Sequence, residues 1–335
     1  MKRVLSLAPK FECTRPLFEG IAELVQAWTQ ENSSFAPEEL ENLIRGFDAC
    51  VVWLDQMAGE VIESSKSLKV IGIPRAGFDN VDIERATEKR IPVVYAPGAN
   101  SVAVADYTIG LIISLLRGIV RSDRALKGKV WNERWALLSS PGRNLEGMKL
   151  GIIGLGNVGS RVAVRARAFG MEVLGVNSSI NAEKQSVIGL QMRELARLVD
   201  LQTLLRESDI VSIHLPLTSR TKGLIGEREL CLMKKTAYVV NVSRGGVVNE
   251  RDLIRALRDK RIAGAALDVF EKEPLSLNSE LLDLDNVILT PHIAWCTNES
   301  ISNSNSIVAS SIIKILGGGA PDPRFVANPS VLRQS

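Results

Sequence analysis

Only two of the 335 residues are histidines, His214 and His292, and they keep different company. An imidazole is the side chain best suited to give and take back a proton near neutral pH, because its pKa lies there. His214 sits inside the apolar run VSIHLPL, where a packed or locally bonded ring is expected. His292 instead follows the strand-like run NVILT and a proline. Two further runs of that kind lead into charged groups. AYVVNV is followed by SRGG, which carries Arg244, and IAGAALDV by FEKEP, which offers Glu271 and Glu273. Singly, Arg244 reads as a loop cap and Glu273 as a solvated turn residue before Pro274. Jointly, the three residue types suit a carboxylate next to a carbonyl. A carboxylate beside an imidazole orients it and raises its pKa, keeping a proton available for an oxygen that gains charge. A guanidinium grips a substrate carboxylate through two parallel bonds and polarises the adjacent carbonyl.

These loops converge only if their strands share a sheet. After residue 148 six apolar runs follow one another: KLGIIG (149–154), EVLGV (172–176), DIVSIHL (209–215), AYVVNV (237–242), IAGAALDV (262–269) and NVILT (286–290). Helical or linking segments separate them, a pattern that predicts a parallel sheet covered on both faces. Six is the strand number of a doubly wound dinucleotide-binding sheet, whose ligands lie beyond the carboxyl ends of its strands. The first turn reads GIIGLGNVG, with Gly154, Gly156 and Gly159 spaced as G-x-G-x-x-G. It follows a strand run and opens the helical stretch NVGSRVAVRARAFG, the context that gives this motif its meaning. Gly154 allows the tight turn, Gly156 the approach of a pyrophosphate, and Gly159 the packing of helix on strand. N–H groups near Asn157 and Val158 then face the anion.

A nicotinamide dinucleotide in that place supplies the hydride, leaving placement and charge to the protein. About 20 residues on, where an acidic residue normally binds the ribose, stands Asn177. Asn177 bonds a ribose hydroxyl but lacks the charge that repels a 2′-phosphate, and no arginine follows before Arg193. The expected cofactor is NAD, with NADP left open.

Before residue 98 a shorter series runs through VLSLA (4–8), ACVVWL (49–54), LKVIGI (68–73) and IPVVYA (91–96). FEGIAELVQAW and VDIERATEKR are expected as helical connections. SVAVADYTIGLIISLLRGIV (101–120) reads as a helix apolar on more than one face, hence buried, and is placed between the domains. NESISNSNSIVASSIIKIL (298–316) reads as a helix that returns the chain to the first domain. The expected fold is α/β, with two Rossmann-type domains, doubly wound parallel sheets and the nucleotide domain inserted into the substrate domain. Residues 1–98 and 291–335 form the discontinuous, flavodoxin-like substrate domain, and residues 99–290 the NAD(P)-binding domain.

Composition narrows the class. A net charge of +3, with 24% charged and 45% hydrophobic residues, describes an ordinary globular protein. Arg161, Arg165 and Arg167 read as a solvated helix face, and without a sustained basic stripe no nucleic-acid partner is expected. TIGLIISLL (108–116) falls well short of the roughly 20 apolar residues of a membrane span. The apolar part of MKRVLSLAPKF is too short for a signal peptide. Cys13, Cys50, Cys231 and Cys296 are scattered, so neither a disulfide framework nor a metal site is expected. A reducing, cytoplasmic setting follows.

In this order the motifs resemble the D-isomer-specific 2-hydroxyacid dehydrogenase family. The likeness runs from VIGIPRAGFDNVDIERATEKRIPVV through GANSVAVADYTIGL, GMKLGIIGLGNVGSRVA, NVSRGGVVNE and AGAALDVFEKEP to LTPHIA. It implies Arg244, Glu273 and His292 as the catalytic residues, choosing Glu273 because the family's glutamate immediately precedes the proline. It implies a substrate carboxylate held by the amides of Ala76 and Gly77 together with Arg244, next to His292. Thr108, Pro216, Val242, Ser243, Asp268 and Ala294 match positions lining the nicotinamide side. A homodimer is also implied.

Asn177 departs from the family pattern, as does the long stretch from Asn181 to Leu201, and nothing after residue 335 matches the regulatory domain of many phosphoglycerate dehydrogenases. VVWLDQM lacks a basic residue for a substrate phosphate. The favoured substrates are therefore small unphosphorylated 2-oxo acids, hydroxypyruvate or glyoxylate. The alternatives are a D-3-phosphoglycerate dehydrogenase without a regulatory domain and a non-catalytic NAD(H)-sensing protein of the same fold. Trp131 and Trp135 suit either a dimer contact or simple packing, and Trp295 suits a wall of the substrate pocket.

Overall fold

The computed structural model describes residues 1–30, 34–131, 141–176 and 194–334. Asn177, Trp135 and the greater part of the 181–201 stretch lie outside the described residues. The chain passes twice between two compact units: Met1–Asn100 joins Cys296–Ser335 in the first, and Ser101–Trp295 forms the second.

In the first unit five parallel strands run in the order β2-β1-β3-β4-β5. They are β1 (Lys2–Ser6), β2 (Ala22–Gln26), β3 (Ala49–Val51), β4 (Val70–Ile73) and β5 (Val93–Tyr95). This 2-1-3-4-5 order is the flavodoxin-like form of the doubly wound sheet. β2 overturns one expectation, since it lies in the middle of FEGIAELVQAW. A 3₁₀ turn, Phe11–Phe18, leads into it, and AELVQ then pairs with β1 from Lys2↔Ala22 to Ser6↔Gln26. Ala22 and Leu24 are buried while Glu23 is exposed, so pairing with β1 prevails over the helical spacing of the wider window. VDIERATEKR does hold a helix, Ile83–Glu88, capped by the Asp82 carboxylate, which accepts from the Arg85 N–H. The helix Asn298–Leu316 covers one face of this sheet, burying Val308, Ala309 and Ile312 against Val4, Val51, Val70 and Val94.

The second unit contains β6 (Lys149–Ile153), β7 (Glu172–Val176), β8 (Arg197–Leu198), β9 (Ile210–Ile213), β10 (Tyr238–Asn241), β11 (Gly264–Leu267) and β12 (Val287–Leu289). Their order is β12-β11-β10-β9-β6-β7-β8, all parallel. That is the 3-2-1-4-5-6 dinucleotide-binding arrangement with one strand added at the end. Seven strands replace the expected six because β8 has two residues, too few to leave a period in the sequence. Alternate residues such as Val239 and Val240, or Ala265 and Ala266, enter different cores on the two faces.

The expected helix 101–120 stops earlier. Gly118, at φ +61°, ends the helix Ser101–Arg117, and a second helix, Ile119–Lys127, departs at 66° with no buried residue. Among the described residues no single helix is long and apolar enough to cross a membrane. Ser101–Arg117 packs in the core of the second unit beside the helix Asn157–Ala168. The arginines on Asn157–Ala168 are not simply solvated. Arg161 Nε donates to Ser101 Oγ (2.9 Å) and Arg165 Nε to Asp106 Oδ1 (2.5 Å), tying the two helices together, while Arg167 donates to the Glu194 carbonyl.

The amino ends of both sheets use one device. Asp48 accepts from the Arg3 N–H (3.0 Å) and pairs with Lys2 and Lys69. Asp209 accepts from the Lys149 N–H (2.9 Å) and from Lys234 Nζ (3.1 Å), with Arg143 beside it. Burial alone would raise the Asp209 pKa, but the amide and the two cations outweigh it and hold the carboxyl below its usual value. A depressed pKa adds stability that is complete above the unfolded value of about 3.9 and fades as pH falls through the folded value. Asp209→Asn should therefore destabilise the second unit by about 1.5–3 kcal/mol at pH 7, the worth of hydrogen bonds to a charged group. In thermal melts from pH 7 down to pH 3, the gap to the parent protein should narrow only at the acid end.

Candidate active site

Five parallel strands bring their carboxyl ends to one line. Ile153, Ile213, Asn241, Leu267 and Leu289 are successive Cα partners across β6, β9, β10, β11 and β12. With about 4.8 Å between neighbouring strands, the loops that follow share one edge of the sheet. Those loops carry Gly154, His214, Arg244, Glu273 and His292.

At the β6 end the three glycines have separate causes. Gly154 has φ +101°, and a Cβ there would come within 2.7 Å of the His214 carbonyl oxygen. A Cβ on Gly159 would stand 2.0 Å from the Gly154 carbonyl oxygen, so the helix seats on the strand only without a side chain. Gly156 is exposed at the N-cap of Asn157–Ala168, and a Cβ there would meet nothing within 4 Å. The result is an open cradle before the first N–H groups of the helix, beside exposed Asn157 and half-buried Val158. That arrangement fits the pyrophosphate of a dinucleotide.

At the β10 end the loop geometry is written by Asn241, which sequence reasoning missed. Its buried Oδ1 accepts from the Ser243 N–H (3.1 Å) and from Ser243 Oγ (2.9 Å), while its Nδ2 donates to the Arg244 carbonyl (3.0 Å). An asparagine two residues before a serine at a strand end is the available signal for such a turn. Arg244 is half-buried, with Nη1 donating to the Ser243 carbonyl (2.8 Å). Gly245 then lies directly on the next loop: a Cβ there would stand 1.9 Å from the Phe270 carbonyl carbon and 2.4 Å from the Glu271 nitrogen.

The two glutamates of that next loop separate. Glu271 Oε1 accepts from the Glu250 N–H (3.0 Å), and the Glu271 N–H donates to Glu250 Oε2 (3.2 Å), a tie to the start of the helix Glu250–Arg258. Glu273 Oε2 meets His292 Nδ1 at 2.7 Å, and its Oε1 accepts from the Phe270 N–H (3.0 Å). Burial pushes the Glu273 pKa up. The His292 bond, the Phe270 amide and the charges of His292 and Arg244 more than reverse this, leaving it below the ordinary value. A charged Glu273 fixes the proton on Nδ1 and leaves Nε2 for a reacting oxygen.

His292 itself has φ +53°, a left-handed conformation that costs an L-residue roughly 1–2 kcal/mol. Bonds on both sides hold it there. The fully buried Asp268 carboxylate accepts from Thr290 Oγ1 (2.6 Å), the Ile293 N–H (3.0 Å) and the Ala294 N–H (2.9 Å). The Trp295 indole N–H donates to the His292 carbonyl (2.8 Å). These bonds attach residues 290–295 to the second unit. The chain therefore leaves that unit after Trp295, not at residue 291, and His292 belongs with the strands it follows.

His214 is a different ring. Its Nε2 lies 2.8 Å from Ser212 Oγ, and burial lowers its pKa to about 3, so it stays neutral near pH 7. Of the other expected positions, Pro216, Val242, Ser243, Asp268 and Ala294 lie beyond strand ends of the second unit, on the edge already described. Thr108 is buried within the helix Ser101–Arg117, where its hydroxyl donates to the Val104 carbonyl (2.7 Å). Ala76 and Gly77 stand in the first unit on the loop after β4, Ala76 exposed and Gly77 half-buried. Beside them, Arg75 places its guanidinium over the Trp53 ring, 5.5 Å from the centroid, and donates to Asn80 Oδ1. The segment VVWLDQM, which starts at the last residue of β3, thus has a cation against it although it contributes none. Among the described residues no group of three His, Cys, Asp or Glu side chains could hold a metal ion.

Comparisons with known proteins bear on the family. Residues 109–294 match the model of the D-isomer specific 2-hydroxyacid dehydrogenase, NAD binding domain. A glyoxylate reductase of Thermofilum pendens is 39% identical, over 97% of this chain and 96% of that one. A D-3-phosphoglycerate dehydrogenase of Methanocaldococcus jannaschii is 39% identical over 95% of this chain, which spans only 58% of that longer protein. The solved D-lactate dehydrogenase of Aquifex aeolicus, complexed with NAD and lactic acid, superposes with a TM-score of 0.79 at 26% identity, covering 98% of this chain and 99% of that one.

The contact at Gly245 gives a direct test. Gly245→Ala should force the SRGG loop off the Phe270–Glu271 peptide, lowering the melting temperature by several degrees and removing most turnover. An alanine variant with the stability and turnover of the parent would show that the two loops do not depend on each other.

Proposed function

The chain belongs to the D-isomer-specific 2-hydroxyacid dehydrogenase family and is an NAD(P)-dependent oxidoreductase acting on CH–OH donors, and we propose that it reversibly reduces a small unphosphorylated 2-oxo acid, glyoxylate or hydroxypyruvate. The product is the 2-hydroxy acid, of D configuration where it is chiral. The observation that carries this proposal is the 2.7 Å bond between His292 Nδ1 and Glu273 Oε2, on the sheet edge that also bears the glycine cradle.

The nicotinamide ring, when bound, supplies the hydride in one direction and takes it in the other. His292 gives the Nε2 proton to the carbonyl oxygen as charge develops there, and recovers it in the reverse reaction. Glu273, held as a carboxylate, stabilises the imidazolium and fixes its orientation. Arg244 binds the substrate carboxylate in a two-pronged bond and polarises the carbonyl. Family likeness assigns the amides of Ala76 and Gly77 to the same carboxylate.

Gly154, Gly156, Asn157, Val158 and Gly159 hold the pyrophosphate, and Asn177 the ribose. Thr108, Pro216, Val242, Ser243, Asp268 and Ala294 serve the nicotinamide half. With Asn177 and no nearby arginine, NAD is the proposed cofactor. A cytoplasmic homodimer completes the proposal, supported by the exposed Ile119, Leu126, Val130 and Trp131 in and after the helix Ile119–Lys127.

A second substrate, phosphohydroxypyruvate, has one structural point in its favour: the Arg75 guanidinium over Trp53. A panel of glyoxylate, hydroxypyruvate and phosphohydroxypyruvate, each run with NADH and NADPH, separates the two. Turnover of the first two with NADH is expected; a strong preference for the phosphorylated acid, or for NADPH, overturns the corresponding part. His292→Gln should lower kcat/KM by about 10²–10⁴-fold, the usual worth of a general acid. Undiminished turnover in that variant would remove His292 from the chemistry, and no turnover of any 2-oxo acid by the parent would favour the sensing protein. For assembly, light scattering at micromolar concentration should give twice the chain mass, falling towards one chain in Trp131→Glu.

A further inference from the structure

The indole of Trp295 has no part in the proposed chemistry, yet its N–H bonds to the residue at the centre of it. The half-buried ring packs against one of the two cores of the second unit, which fixes the side chain at one end. At the other end Nε1–H points back three residues and donates to the His292 carbonyl at 2.8 Å. Among the described residues His292 is one of five non-glycine residues with positive φ. A left-handed residue is held only where its surroundings over-determine it. Its own N–H donates to the Thr290 carbonyl (3.0 Å), and the next two N–H groups are taken by the buried Asp268 carboxylate. The 292–293 peptide is thus held from both sides, its N–H by the Asp268 carboxylate and its carbonyl by the indole. Loss of either bond loosens this peptide, and with it the left-handed conformation from which the imidazole reaches Glu273.

We infer that Trp295 is a positioning residue for acid–base catalysis: its N–H locks the turn that presents His292 to Glu273. This rests on the role proposed for His292. The indole touches neither substrate nor cofactor in this scheme. Its loss should lower the fraction of molecules with the His292–Glu273 bond made, and so act on kcat while leaving KM alone. A wall of the substrate pocket, the role suggested by sequence position, would act in the opposite way.

Trp295→Phe keeps an aromatic ring and removes the donor. A drop in kcat of about five- to tenfold is expected, with KM for the 2-oxo acid and for NADH within twofold, the size of effect that fits one lost hydrogen bond. The second readout needs no turnover. With only two histidines in the chain, ¹⁵N-histidine labelling gives two imidazoles, and His292→Gln assigns them. In Trp295→Phe the downfield Nδ1 proton of His292 should weaken and shift towards its free position, while the His214 signals stay in place as the internal control. If the phenylalanine variant folds poorly, benzothienylalanine at position 295 keeps the bicyclic shape without the N–H and should give the same result. An unchanged His292 signal, or a rise in KM at constant kcat, overturns the inference. Failure of the His292 role itself would show separately, as full activity in His292→Gln.

Discussion

A single buried carboxylate decides where the chemistry can sit. Asp268, one residue past β11, accepts three bonds from residues 290–294 and so fastens the end of one strand to the turn after the next. Without those acceptors the N–H groups of Ile293 and Ala294 would be turned inward with nothing to meet, at a cost of about 1–3 kcal/mol for each such group. With them, a left-handed histidine becomes the stable arrangement at that point. The same bonds determine that the chain stays with the second unit as far as Trp295, so His292 and the glycine cradle are built on one sheet.

Most of that sheet can be read from the residues, because a parallel strand buried on both faces is a nearly continuous apolar run. KLGIIG, AYVVNV and IAGAALDV could hardly be anything else. The Arg, Glu and His beyond the later strands follow from asking what lies at the carboxyl edge. Reading fails where geometry comes from somewhere else. AELVQ becomes a strand because β1 offers it a partner, and no local spacing records that offer. Arg197–Leu198 is too short to have a period. Asn241 and Trp295 act through backbone groups, so their roles depend on where a carbonyl or an N–H points. The choice between Glu271 and Glu273, left open by the residues and made by family likeness, becomes physical once Glu271 is seen tied to Glu250.

The two units share more than an architecture. In each, an aspartate just before the strand next to the first one accepts the N–H of a basic residue in that first strand and gathers cations around it: Asp48 with Arg3, Asp209 with Lys149. These ties sit at the amino ends of the strands, opposite the edge that carries function. Stability and chemistry are thus assigned to different ends of the same strands. The loops at the carboxyl edge are free to differ between the units. One unit carries the glycine cradle and the Arg–Glu–His set, and the other carries RAG, with its Arg75 over Trp53.

The backbone contact at Gly245 means that the arginine loop and the glutamate loop have a common fate. Neither can be lengthened, exchanged or given a new side chain at the point of contact while the other stays as it is. Anyone moving this chemistry to another scaffold, or retuning it for a bulkier acid, has to treat SRGG and FEKEP as one inherited part. Insertion or exchange along that edge then falls to segments outside the part, such as the turn that begins at Pro216.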